Sequence, residues 1–263
     1  MKKSILFIVI LFVISIFVSG CNQNKTEQLD ALDKIKQRDK LIVGIKYDSM
    51  PFGFIDKDQK VVGLDADLSR AIAKYLLGNE NKVEFREVTP SNRILALNSG
   101  QVDVIIATMT ITPQRREVVN FSKPYYVAGI GIMVFENSDI KRANDLNGRK
   151  VVVVLGTTAD KSIRIMAPNA IVQGYRTYSD AYMALKNKRA EAIVTDDSIL
   201  LGMAMNDSSV KILPSRYSKE PYGIAVKKSQ DSQRLITEID NAIEYMIQSG
   251  ELEHLKKRWI KMK

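Results

Sequence analysis

The stretch Ala96-Leu97-Asn98-Ser99-Gly100-Gln101-Val102-Asp103-Val104-Ile105-Ile106 reads as the end of a helix, a turn, and a strand with an acid near its start. It aligns without gaps on Ala184-Leu185-Lys186-Asn187-Lys188-Arg189-Ala190-Glu191-Ala192-Ile193-Val194, 88 residues further on. That offset is a domain-sized interval rather than a solenoid period, so it predicts two halves of related build.

The pattern extends outward from both copies. Leu41–Ile45 is a short apolar run of the kind a buried strand shows. Asp65–Leu77 carries Leu68, Ala71, Ile72, Tyr75 and Leu76 on one helical face, with Asp65 as the expected cap. Val83–Val88 alternates as a strand, Thr89-Pro90 is expected to open a helix running through Leu97, and 102–107 is a strand. Thr112-Pro113 starts a further short helix. The second half repeats the alternation: a strand over 151–155, a helix from about Thr158, another over 180–187 and a strand over 192–195. Alternating strands and helices predict an α/β fold with largely parallel sheets. Two helices close the chain, over 232–248 and, after Gly250, around Leu252, Leu255 and Trp259.

The beginning of the chain is an address. Lys2 and Lys3 precede the 14-residue run Ile5–Val18, which suits a signal peptide and is shorter than the ~20 residues a membrane span needs. Residues 1–20 are therefore expected to be removed, which lowers the formal charge from +9 to +7. Composition excludes much else. With one Cys and one His in 263 residues, there is no intrachain disulfide, no Cys-based zinc site and no His-rich catalytic cluster. Neither a metal nor another cofactor is expected. No run of five Lys or Arg occurs, and an exported chain meets little nucleic acid, so none is expected as a partner.

Function points to cations at the ends of strands and starts of helices. Arg93 follows Thr89-Pro90 and Arg115 follows Thr112-Pro113, where a cation opposes the helix dipole by roughly 0.3–1 kcal/mol. Two such placements suggest that an anion is expected nearby. Gly156-Thr157-Thr158 opens another helix, whose free N–H groups suit a carboxylate. Lys46 lies just past its strand, where open α/β sheets hold their ligands.

These residues fall inside longer motifs. Ile42-Val43-Gly44-Ile45-Lys46-Tyr47-Asp48-Ser49-Met50-Pro51-Phe52-Gly53-Phe54 resembles the opening of bacterial extracellular solute-binding proteins of family 3. Gly63-Leu64-Asp65-Ala66-Asp67-Leu68 is similar to that family's Gly-Phe-Asp-x-Asp-Leu segment, with Leu64 in place of Phe. Ala107–Arg116, Phe121–Tyr126, Asp196 and Glu220–Ala225 continue the resemblance, which runs from about residue 40 to the end. Val18-Ser19-Gly20-Cys21 resembles a lipobox, which implies an acylated Cys21 and an anchor to the outer face of the cytoplasmic membrane.

The resemblance implies a two-lobed periplasmic-binding-protein-like fold of type II, with two crossover hinge strands and the ligand between the lobes. The expected division is a signal peptide over 1–20, a lipidated tether over 21–39, lobe 1 over 40–126 plus 222–263, and lobe 2 over 127–221. It also implies a monomer that serves the permease and ATPase of a polar amino acid ABC importer. By the family's pattern, Arg115 takes the α-carboxylate with Thr110 and the backbone of Thr157 and Thr158, while Asp196 takes the ammonium. Lys46 and Arg93 then face the ligand's side chain, and Leu64, Thr108, Met109, Gly156 and Tyr222 complete the candidate set. Two cations facing a neutral amide leave charge uncompensated, so glutamate or aspartate is expected, with glutamine as the alternative. A cleft enzyme such as a dehydratase, or a sensor, is the rival class. The only His, His254, lies in a charged helix and Cys21 is assigned to lipid, so no His or Cys serves as nucleophile or base.

Overall fold

The computed structural model describes residues 29–260. The signal peptide, the lipobox and Cys21 lie outside them. The chain builds helix α1 (Ala31–Arg38), then strands β1 (Leu41–Ile45), β2 (Asp48–Ser49), β3 (Gly53–Ile55) and β4 (Val61–Val62). Helix α2 (Leu64–Leu77), β5 (Val83–Glu87), α3 (Arg93–Asn98), β6 (Val104–Ile105), α4 (Pro113–Arg116) and β7 (Val119–Ala128) follow. The second unit comprises β8 (Ile130–Phe135), β9 (Lys150–Val154), α5 (Thr158–Met166), β10 (Ile171–Tyr175), α6 (Tyr178–Lys186), β11 (Ala192–Asp196), α7 (Asp197–Ala204) and β12 (Val210–Ile212). The return strand β13 (Glu220–Lys227) leads to α8 (Gln233–Gln248) and α9 (Glu251–Trp259).

The predicted pseudo-repeat has a topological counterpart. One five-stranded sheet has the order β5-β1-β6-β13-β7 and the other β10-β9-β11-β8-β12. The strands that end the two aligned segments, β6 and β11, are the central strands of the two sheets. In each sheet the first three strands run parallel and the fourth antiparallel to the third. Strands β1 and β9 are apolar and almost wholly buried because helices cover both faces of the sheet. A small antiparallel sheet of β2, β3 and β4 sits beside the first.

Three local expectations are corrected. Residues 30–39, assigned to the tether, contain α1: Asp30 accepts the amide of Asp33 at 2.8 Å, and Leu32 and Ile35 are buried in the main core. Burying two such side chains contributes about 1.5–3 kcal/mol each, ample to dock a helix of two turns. Helix α3 starts at Arg93 rather than at Thr89-Pro90, because the side chain of Asn92 turns back to accept the Thr89 amide at 2.8 Å. Strand β6 is two residues long instead of six, although Asp103 N and Ile106 N extend the bonding towards Ile42 and Gly44 of β1 at 2.9 and 3.0 Å.

The chain crosses between the sheets twice. It leaves β7 at Ala128 and enters β8 at Ile130; it returns through Ser218 and Lys219 into β13. Ile130 N donates to Ser218 Oγ at 3.1 Å, which ties the two crossings together.

Candidate functional site

The carboxyl ends of β1, β6, β9 and β11 face the space between the lobes, as open α/β sheets arrange their ligand sites. A cleft of about 640 Å³ opens there, lined by Thr110, Arg115, Gly156, Thr157, Thr158 and Glu220 among others. Thr112 caps α4 by accepting the Arg115 amide at 3.2 Å, with Pro113 in the first turn as the sequence predicts. The Arg115 guanidinium then reaches both lobes: Nη1 donates to Thr110 O at 2.8 Å and Nη2 to Gly156 O at 2.9 Å. Thr157 caps α5 through Asp160 N at 3.2 Å. Gly156 has a φ of 82°, and a Cβ there would lie 2.7 Å from Pro90 O. Only glycine lets the α5 start approach the first lobe this closely.

Deeper in, Lys46 is 1% exposed; its Nζ donates to Thr108 Oγ1 and lies 4.4 Å above the Tyr178 ring. Burial, reinforced by Arg93, lowers its pKa to about 8 against the pull of Asp48, Asp65 and Asp196. Arg93 is also buried; Nη1 donates to Ala107 O at 2.7 Å while Nε has no protein partner. Burial and the nearby Arg115 both disfavour its charge. Asp196, at the end of β11, accepts the Tyr222 hydroxyl on Oδ2, and its Oδ1 is buried without a protein partner. Burial raises its pKa to about 6, opposed by Tyr222 and aided by Glu220. The free, buried carboxylate oxygen of Asp196 is a ready partner for an ammonium group.

Two members of the candidate set stand elsewhere. Met109 packs in the core with Ile105, Val119 and Phe121 and offers only its carbonyl, which accepts Gly223 N at 3.1 Å. Leu64 is fully buried in the main core, at the start of α2. Phe52 is likewise buried in that core, its ring 5.5 Å from Tyr222 and 5.2 Å from Tyr126.

Sequence reasoning also missed residues. Asp65, expected as a cap, does not cap α2; Gly63 precedes that helix. Its carboxylate, fully buried, accepts Thr108 N at 2.9 Å and the Tyr125 hydroxyl at 2.8 Å. Glu220 is 5% exposed, accepts Ser218 Oγ at 2.6 Å, and keeps Oε2 without a protein partner. Tyr178 begins α6, and its Thr177 cap is a signal that marks the position without revealing that the ring lies under Lys46. Asp48 crosses the cleft: its Oδ2 accepts Tyr178 N at 2.7 Å and Ser179 N at 3.3 Å, so a carboxylate of the first lobe sits on a helix start of the second.

Arg115 and Glu220 thus line the cleft, and Lys46 and Arg93 lie buried beneath it with Asp48, Asp65 and Asp196 in their field. The cations alone suggested an acidic ligand; the carboxylates show that the protein itself meets much of their charge.

Together, the paired sheets, the double crossing and the charged cleft define a two-lobed binding protein of type II. The chain belongs to the bacterial extracellular solute-binding proteins, family 3, whose model matches residues 41–262. It is 39% identical over 245 residues to the ABC transporter glutamine-binding protein GlnH of Bacillus subtilis, covering 92% of this chain and 89% of that one. It is 43% identical over 201 residues to a glutamine-binding protein of Geobacillus stearothermophilus, covering 76% and 77%. A solved structure of an ancestral arginine-binding protein bound to glutamine superposes with a TM-score of 0.80 at 40% identity, covering 85% of this chain and 98% of that one.

Proposed function

We propose that the protein captures L-glutamine and delivers it to the permease and ATPase of an ABC importer. The observation that carries the choice of ligand is that the buried cations Lys46 and Arg93 already lie in the field of the buried carboxylates Asp65 and Asp196, which suits a zwitterion with an uncharged side chain. The two glutamine-binding relatives support it. In this reading Arg115 receives the α-carboxylate with Thr110 and the α5 start, a pairing for which a planar guanidinium is suited. The free Oδ1 of Asp196 receives the ammonium. Lys46, Arg93 and Thr108 face the amide, and Tyr222 holds Asp196 in place. Three or four charge-assisted bonds at about 1.5–3 kcal/mol each reach the ~8 kcal/mol of micromolar binding after entropic losses.

A second reading, glutamate, is favoured by the unpartnered Nε of Arg93. Calorimetric titration with L-glutamine, L-glutamate, L-aspartate and L-arginine separates the two. Glutamine binding at least tenfold tighter than glutamate is the expected result; the reverse order sinks the glutamine assignment and leaves the family intact.

The segment ending at Cys21 supports a lipid anchor on the outer face of the cytoplasmic membrane. Among the described residues no helix is long and apolar enough to cross a membrane. We further propose that the protein acts as a monomer and closes by moving residues 40–126 plus 222–263 against 127–221.

A further inference from the structure

Asp65 is wholly committed to the protein. It is 0% exposed, and its two oxygens are occupied by Thr108 N and the Tyr125 hydroxyl, both neutral donors. Among the described residues no Lys or Arg lies within ion-pair distance of it. A buried carboxylate held this way is costly unless its charge is used. The cations in its field are Lys46 and Arg93, and it reaches Lys46 through a single residue, because Thr108 donates its amide to Asp65 and accepts Lys46 Nζ on its hydroxyl.

We infer that Asp65 is a specificity-determining residue that acts by charge through Thr108 rather than by ligand contact. Its negative charge offsets Lys46, so the side-chain end of the cleft takes an uncharged amide and disfavours a second carboxylate. The inference rests on the glutamine reading of the cleft. A merely structural Asp65, one that only holds the Thr108 turn, affects every ligand alike. The ratio of glutamine to glutamate affinity separates the two roles.

The test is calorimetry at neutral pH on the purified protein and on Asp65→Asn, Lys46→Gln and the double variant, each titrated with L-glutamine and L-glutamate. Asp65→Asn is expected to shift the ratio towards glutamate by at least tenfold, about 1.4 kcal/mol. Lys46→Gln shifts it towards glutamine, and the double variant returns it near the wild-type value. If Asp65→Asn weakens both ligands equally and leaves the ratio still, the inference is overturned and the glutamine reading stands. If the wild-type protein prefers glutamate, both fall. Should Asp65→Asn fail to fold, the Lys46→Gln arm decides, and an unmoved ratio there overturns the inference.

Discussion

Thr108 holds a φ of 44°, a left-handed backbone that a β-branched residue rarely adopts. Asp65 on its amide and Lys46 on its hydroxyl keep it there, in keeping with the strain that ligand sites store. Around it each proposed ligand contact has its own expected cost. Arg115→Ala removes the carboxylate partner and is expected to weaken glutamine binding roughly 100-fold by calorimetry, the loss of one or two charge-assisted bonds. Acidity acts on Asp196. Its pKa is raised to about 6 and it must be ionised to take an ammonium, so a proton competes with the ligand. Glutamine affinity is therefore expected to fall as pH drops through 6, by up to tenfold per unit below it. An affinity that stays level from pH 7 to 5 removes Asp196 from that role. Stability of the unliganded fold runs the other way. Asp65 and Asp196 bind protons more tightly folded than unfolded, so their contribution is greatest below the unfolded value near 4 and declines as pH rises through 6.

At the scale of elements, closure is set by what two short segments permit. Strand β2 and the loop after it seat against the second lobe, where Asp48 meets the start of α6 and Met50 meets α7. A Cβ on Gly202 would lie 2.0 Å from Met50 O, so the backbone of α7 must be bare at that point. Gly202→Ala is expected to fold normally and to stay open in small-angle scattering even with saturating glutamine, with affinity reduced at least tenfold. Asp48→Ala loses two bonds made only across the lobes, and a several-fold faster ligand release in stopped-flow is expected. The elements themselves were mostly legible. Strands β1, β9 and β11 and helices α4, α5 and α8 follow from apolar runs, Thr caps and helical periodicity. Helix α1 was not, because two buried side chains in eight residues declare themselves only against the core they join.

For the whole molecule, ligand and lobes stabilise each other by mass action. A ligand at 100 times its Kd adds about 2.7 kcal/mol to stability, and a chain of this size gains roughly 2–4 °C per kcal/mol in melting temperature. A shift of roughly 5–10 °C in calorimetric scanning is expected with glutamine, and little with an amino acid the cleft rejects. The two-lobed plan was written into the chain: the aligned segments at 96–106 and 184–194 became the central strands of two sheets of the same order, because side-chain period and turn chemistry are local properties. Arg93, Arg115 and Lys46 were also legible as candidates, since strand ends and helix starts are where such folds place ligand-binding groups, and Asp196 entered through the family resemblance. Their carboxylate partners were not. Asp65 looks like a helix-start residue and Glu220 like a surface acid until the sheets are assembled. Sequence by itself determined most of the elements, their order and the candidate cations; tertiary structure alone decided how those cations are met, because that depends on which distant carboxylates are buried beside them.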